Sequence, residues 1–157
     1  MNLLDILSAV AVVDFATIVL SKFFNLGKSL NKWYEKFGMT AVLSDCLIIV
    51  LGILLALLIE PKSGWFQLMI MAVAIQIFHD AWFYFAVIVP IPSGHNEMID
   101  LFKEYANENS YGIIIADTAM VVSTVLLAEY LSKFHESVVV FTGLLATYAL
   151  TYIIYTH

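Results

Sequence analysis

Residues 65–89 read WFQLMIMAVAIQIFHDAWFYFAVIV, from Trp65 to Val89, with no Lys, Arg, Gly or Pro among them. A helix needs about 20 residues to cross a hydrocarbon layer of roughly 30 Å. The run is therefore long enough to span a bilayer. Every backbone polar group must be satisfied inside lipid, which selects a helix. A closed barrel would show short alternating segments, and this run is continuous.

The rest of the chain repeats the signal. Runs of similar length lie at about Leu3–Ser21, Thr40–Ile59, Tyr111–Leu131 and Ser137–Thr156. Hydrophobic residues make up 62% of the 157 positions, against roughly 45–50% in a soluble domain, and the mean hydropathy is +0.91. The expected fold is all-α: one transmembrane domain over residues 1–157, built as a bundle of five spanning helices. The lipid bilayer is its first partner.

The connections add two shorter helices. In SLNKWYEKFG, Leu30, Trp33, Tyr34 and Phe37 recur at i, i+3, i+4 and i+7, with Lys32, Glu35 and Lys36 on the other side. That pattern predicts an amphipathic helix in the membrane interface. In HNEMIDLFKEYANE, Asn96 can cap a helix, Glu97 suits its first turn, and Met98, Leu101, Phe102 and Tyr105 form its apolar side. Trp33, Tyr34, Phe37, Phe102 and Trp65 are expected as interface anchors.

Lysine placement orients the bundle. Lys22, Lys28, Lys32, Lys36 and Lys103 fall on one side of a five-span arrangement, and Lys62 and Lys133 on the other. The positive-inside rule then puts the N-terminus outside and the C-terminus in the cytoplasm. No positively charged n-region precedes the first span, which is expected to remain in the mature chain.

The net charge of −6 and the absence of any Arg argue against nucleic-acid binding. The single cysteine, Cys46, cannot form an intrachain disulfide, and its apolar setting suits a packing role. Met69 and Met71 likewise suit packing. No phosphate loop, nucleophile elbow or HExxH motif is present, so no catalytic residue and no cofactor is expected.

Against this apolar background the acids stand out. Each of the first four spans carries an aspartate well inside it: Asp14, Asp45, Asp80 and Asp117. A lipid-exposed Asp costs about 2.5–3.5 kcal/mol at a helix centre, so four would cost roughly 10–14 kcal/mol. At 1.5 Å rise per residue, Asp45 and Asp117 lie about 8 and 9 Å from the cytoplasmic ends of their helices, Asp14 about 11 Å and Asp80 about 15 Å. All four occupy the cytoplasmic half or the midplane. Gln76, His79 and Asp80 share one helical face at i, i+3 and i+4.

Three readings of Asp14, Asp45, Gln76, His79, Asp80 and Asp117 follow. They can form a cation or proton site of a small channel or transporter, with His79 as the shuttle. They can instead be interhelical hydrogen-bond clamps of a scaffolding membrane protein. Thirdly, carboxylates with one imidazole suit an oxygen-rich metal site of a membrane enzyme. His95, His135 and His157 lie outside the spans, which disfavours a histidine-rich centre. A five-helix bundle this thin is also expected to form homo-oligomers.

A weak internal repeat is visible. WYEKFGMTAVLSDCLIIV and FKEYANENSYGIIIADTAMVV each place an amphipathic piece before a span whose early turns carry a small residue and then Asp. Parallel repeats of this kind occur in transporters.

Three stretches, LNKWYEKFGMTAVLSDCLIIVLGI, QIFHDAWFYFAVIVPIPSGHNEMIDLFKEYANE and GIIIADTAM, resemble a group of small multi-pass membrane proteins encoded by large double-stranded DNA viruses of algae and protists. The resemblance spans about Leu30 to Met120. It is most specific in the HDxxFY run and in the following PxGxNxMIDxFKxY. It implies a viral source, and with it a host membrane or a virion's internal membrane. It implies no mechanism.

Overall fold

The computed structural model describes residues 1–24, 28–109 and 111–156. His157 lies outside them, as do residues 25–27 of the first connection and residue 110. Seven α-helices follow in order: α1 (Leu3–Phe24), α2 (Lys28–Phe37), α3 (Met39–Ile59), α4 (Trp65–Phe83), α5 (Glu97–Asn109), α6 (Tyr111–Leu131) and α7 (Glu136–Ile153). There is no strand among the described residues. Five helices are long and apolar enough to cross a membrane: α1, α3, α4 with its extension to Ile88, α6 and α7. The chain is thus an all-α membrane protein, with two short helices beside the five spans.

Local chemistry sets the helix ends. Asn2 and Asp5 cap α1 reciprocally: Asp5 N–H donates to Asn2 Oδ1 at 3.0 Å, and Asn2 N–H donates to the Asp5 carboxylate. Asn96 caps α5 as expected, accepting from Met98 N–H at 2.9 Å and Ile99 N–H at 3.2 Å. His135 caps α7 through Nδ1, which accepts from Ser137 N–H at 3.3 Å. The α4 helix does not run evenly to Val89. From Tyr84 to Ile88 it widens into a π-helical turn, closed by Val89 N–H on Tyr84 O at 2.9 Å. Pro90, which has no N–H to donate, follows at once.

The spans pack α1 on α3, α3 on α4, α4 on α6, and α6 back on α1, closing a four-helix ring. The α7 helix packs on α1, outside that ring. The two approach closely at Gly143, where an added Cβ would lie 2.5 Å from Ser8 Oγ and 3.0 Å from Ser8 Cα. Small residues allow such backbone contact between spanning helices.

The α2 and α5 helices pair antiparallel across one end of the ring. Glu108 accepts from the N–H groups of Lys28 and Ser29 at the start of α2, at 3.1 and 2.8 Å. Lys32 pairs with Glu104 at 2.7 Å and Lys36 with Glu97 at 3.2 Å. The Ser29 hydroxyl and N–H hold Glu108 below the usual carboxylate range. Gly38 joins α2 to α3 in a single residue with φ +52°, a conformation that favours glycine. Trp33, Tyr34, Ala41, Val42, Leu101, Leu150 and Ile154 form a core at this end. The other half of the ring is filled by Ile6, Val10, Ile53, Leu68, Val125 and their neighbours.

This arrangement extends the repeat seen in the sequence. The α1–α2–α3 and α4–α5–α6 segments each run spanning helix, amphipathic helix, spanning helix. In both, the first span runs toward the α2/α5 end and the second away from it. Asp45 and Asp117 each lie six residues after the first residue of their helix. The α1/α4 and α3/α6 pairs sit on opposite corners of the ring, as in parallel repeats about an axis along the membrane normal.

Candidate functional site: carboxylates beneath an amphipathic lid

Each of the four ring helices contributes one mid-helix aspartate, and α7, outside the ring, contributes none. With the observed bounds, Asp45 and Asp117 lie about 9 Å from the α2/α5 end of their helices, Asp80 about 12 Å and Asp14 about 15 Å. The side chains form a chain of neighbours: Asp14 lies within electrostatic range of Asp45, and Asp117 within range of both Asp45 and Asp80. They do not collapse into one cluster. Among the described residues no three His, Cys, Asp or Glu side chains are placed to hold a metal ion. Their surroundings differ sharply.

Asp45 is held from α2. Trp33 Nε1–H donates to both of its oxygens, at 3.2 and 3.0 Å, and Tyr34 O–H donates to Oδ2 at 3.0 Å. Trp33 and Tyr34, expected as interface anchors, are only 4% and 2% exposed. The cause is polar: an indole N–H and a phenol turned inward satisfy a carboxylate that lipid could not. Phe37 and Phe102 stack against Trp33, with ring centres 5.1 and 4.9 Å apart from it. Trp65, at the opposite end of the ring, is largely exposed.

Burial, and after it the carboxylates of Asp45 and Asp14, pushes the Tyr34 phenol well above its ordinary value. Its proton stays available to donate. Tyr105 on α5 occupies the matching place near Asp117. Burial first, then Asp117, Asp45 and Glu108, push it up to about 12.

Asp80 has partners on one side only. Gln76 Nε2–H donates to Oδ1 at 2.8 Å, and His79 Nδ1 lies 3.2 Å from the same oxygen. Oδ2 is enclosed with no partner. Gln76 is buried, whereas the His79 side chain is 34% exposed and stacks on Phe83, which meets Phe102 of α5 edge-on. The i, i+3, i+4 face expected for Gln76, His79 and Asp80 is thus a connected group, with its imidazole part-exposed.

Asp14 is the extreme case. It is 0% exposed, and neither carboxylate oxygen has a hydrogen-bond partner. Thr17, on the same face, spends its hydroxyl on Val13 O, and Ser21 donates to Asn31 Oδ1 at 2.7 Å. Thr124 on α6 is also fully enclosed with an unpaired hydroxyl. Such groups cost about 1–3 kcal/mol each, more when charged.

Two surface depressions touch none of the four aspartates. One is lined by Phe78, Ala81, Trp82, Phe85 and Ala86 on the outer face of α4. The other lies between α2 and α5, among Lys32, Lys36, Glu97 and Glu104. Comparison with known proteins assigns no relative: no protein-family model, no curated protein and no solved structure matches the chain.

Proposed function

We propose that this membrane protein binds protons or small monovalent cations within the bilayer and passes them across it, as a small channel or transporter. Asp14 carries the reading. A carboxylate retained only as a clamp is expected to be paired, because an unpaired buried carboxylate is a net cost. Asp14 has no protein partner, so a proton or a cation is what its oxygens are there to hold. The chain of neighbours Asp14, Asp45, Asp117 and Asp80 then supplies successive acceptors, with the part-exposed His79 as the shuttle. The lysine-rich α2/α5 end is taken as cytoplasmic, with the N-terminus outside. The apolar half of the ring is the closed barrier of this state. Assembly with further copies, and the host or virion membrane that the viral resemblance implies, belong to the same proposal.

A second reading, a scaffolding membrane protein, is favoured by Asp45 alone, whose oxygens are engaged as a clamp's should be. Flux separates the two. Purified protein is reconstituted in liposomes with an internal pH dye under a potassium diffusion potential, beside Asp14→Asn, Asp80→Asn and His79→Ala. Flux that the Asp14 and Asp80 variants abolish, and that His79→Ala slows, supports transport. No flux above empty liposomes between about pH 5 and 8, with common cations present, moves the assignment to the scaffold.

A further inference from the structure

We infer that the α2–α5 pair is a lid over the carboxylates, latched by Trp33 and Tyr34 on Asp45 and released when Asp45 takes up a proton. The inference rests on the proton-binding reading and adds its regulation. The Trp33 half of the latch is one-sided in its chemistry. Trp33 contributes an indole N–H, which donates and never accepts. Its two contacts at 3.2 and 3.0 Å, with the Tyr34 contact at 3.0 Å, use three acceptor positions on one carboxylate. An ionised carboxylate offers about four such positions and no proton. A protonated one turns one oxygen into a donor, which the Tyr34 phenol can accept but Trp33 cannot, and the remaining contacts lose the charge that strengthened them. The latch therefore holds on the charged acid and slackens on the neutral one.

The two halves of the lid are tied to each other, and its release must also loosen the Trp33 and Tyr34 core and the Ser21–Asn31 bond. Its hinge to α3 is Gly38, one residue at φ +52°. Its halves are joined to each other by the Glu108, Lys32–Glu104 and Lys36–Glu97 contacts, which do not involve the ring. Beneath it, the groups facing Asp45 are Asp14 on α1, Tyr34 on α2, Cys46 on α3, Tyr105 on α5 and Asp117 on α6. Asp80 on α4 is reached through Asp117. Proton arrival at any of these acids is felt at the latch.

The test is hydrogen exchange of the α2 backbone amides, in the full chain in lipid nanodiscs, corrected for the intrinsic pH dependence of exchange. It is run between about pH 8 and 5, where Glu108, held below the usual range, stays ionised. The wild type is expected to exchange about tenfold faster at the acid end, as befits losing hydrogen bonds to a charged acceptor. Asp45→Asn is expected to exchange fast at both ends, with α7 unchanged. Should Asp45→Asn fail to fold, Trp33→Phe replaces it and is expected to flatten the same transition. A wild-type transition that survives in the variant places the sensor elsewhere and overturns the inference, as does a wild type with no transition. Exchange is read without any flux, so the lid and the transport reading fail separately.

Discussion

Replacing Asp14 by Leu swaps two enclosed, unpartnered oxygens for two methyl groups on a side chain of similar branching. One unsatisfied buried polar group costs about 1–3 kcal/mol. A near-isosteric swap in a packed site costs up to about 1.5 kcal/mol. With both oxygens of Asp14 unpartnered and no donor left behind, Asp14→Leu is expected to stabilise the bundle by about 1–2 kcal/mol. Asp45→Leu is the control of opposite sign. It orphans Trp33 Nε1–H and Tyr34 O–H, both inside the lid core, and is expected to destabilise by about 2–5 kcal/mol. Equilibrium unfolding in mixed detergent micelles, followed by far-UV circular dichroism, measures both. Asp14→Leu should be more stable than wild type while losing flux. If Asp14→Leu instead loses more than about 1 kcal/mol, Asp14 has a stabilising partner and the argument from its isolation is refuted.

Three further expectations can be checked on the same preparations. Gly143→Ala brings a Cβ to 2.5 Å from Ser8 Oγ and 3.0 Å from Ser8 Cα, and should cost about 1–3 kcal/mol in unfolding measurements; Ser8→Gly in the same chain should restore part of it. For Glu108 the folded-state value lies below the unfolded one, so its contribution is present above the ordinary Glu range and is lost as pH falls through the folded value. The first-turn amides of α2 should therefore lose protection below about pH 4.5, and Glu108→Gln should remove that acid step. Tyr34 and Tyr105 should ionise only above the ordinary phenol range in an ultraviolet alkaline titration; their ionising within it would contradict the burial of these two side chains.

The spans were legible because an apolar run of helical length has few alternatives, and the two amphipathic helices because their period is regular. The depths of Asp45 and Asp117 were legible from the helical rise, whereas those of Asp14 and Asp80 exchanged order because α1 runs on to Phe24 and α4 with its π-helical turn stops at Ile88. The direction of Trp33 and Tyr34 was not. An amphipathic helix shows which side is apolar, but not whether lipid or protein covers it. The deciding group, Asp45, comes 11 to 12 residues later. The repeat was readable only in its second half, since α1 and α4 share little beyond an aspartate. Their equivalence emerges from direction and packing. The π-helical turn at Tyr84–Ile88 and the Gly143–Ser8 contact depend on backbone geometry that no local pattern announces.

Four aspartates that look alike in sequence thus occupy unlike positions, and the difference follows from which helices carry them. Asp45 is shallow and on a helix joined directly to α2, so the nearest donors come from its own chain neighbour. Asp80 is on α4, the least enclosed of the spans, and its partners are on its own face with His79 part-exposed. Asp14 is on α1, the most enclosed span, packed by α3, α6 and α7 together. Its short side chain cannot snorkel to the interface from about 15 Å down the helix. Nothing in that position would retain a carboxylate for packing, since an apolar residue of the same shape would hold the three helices better. The helix most firmly fixed by its neighbours is also the one that can bear an unpaired acid without yielding its place. On the proposed reading, that is where a bundle this small can keep a binding group whose partner comes and goes.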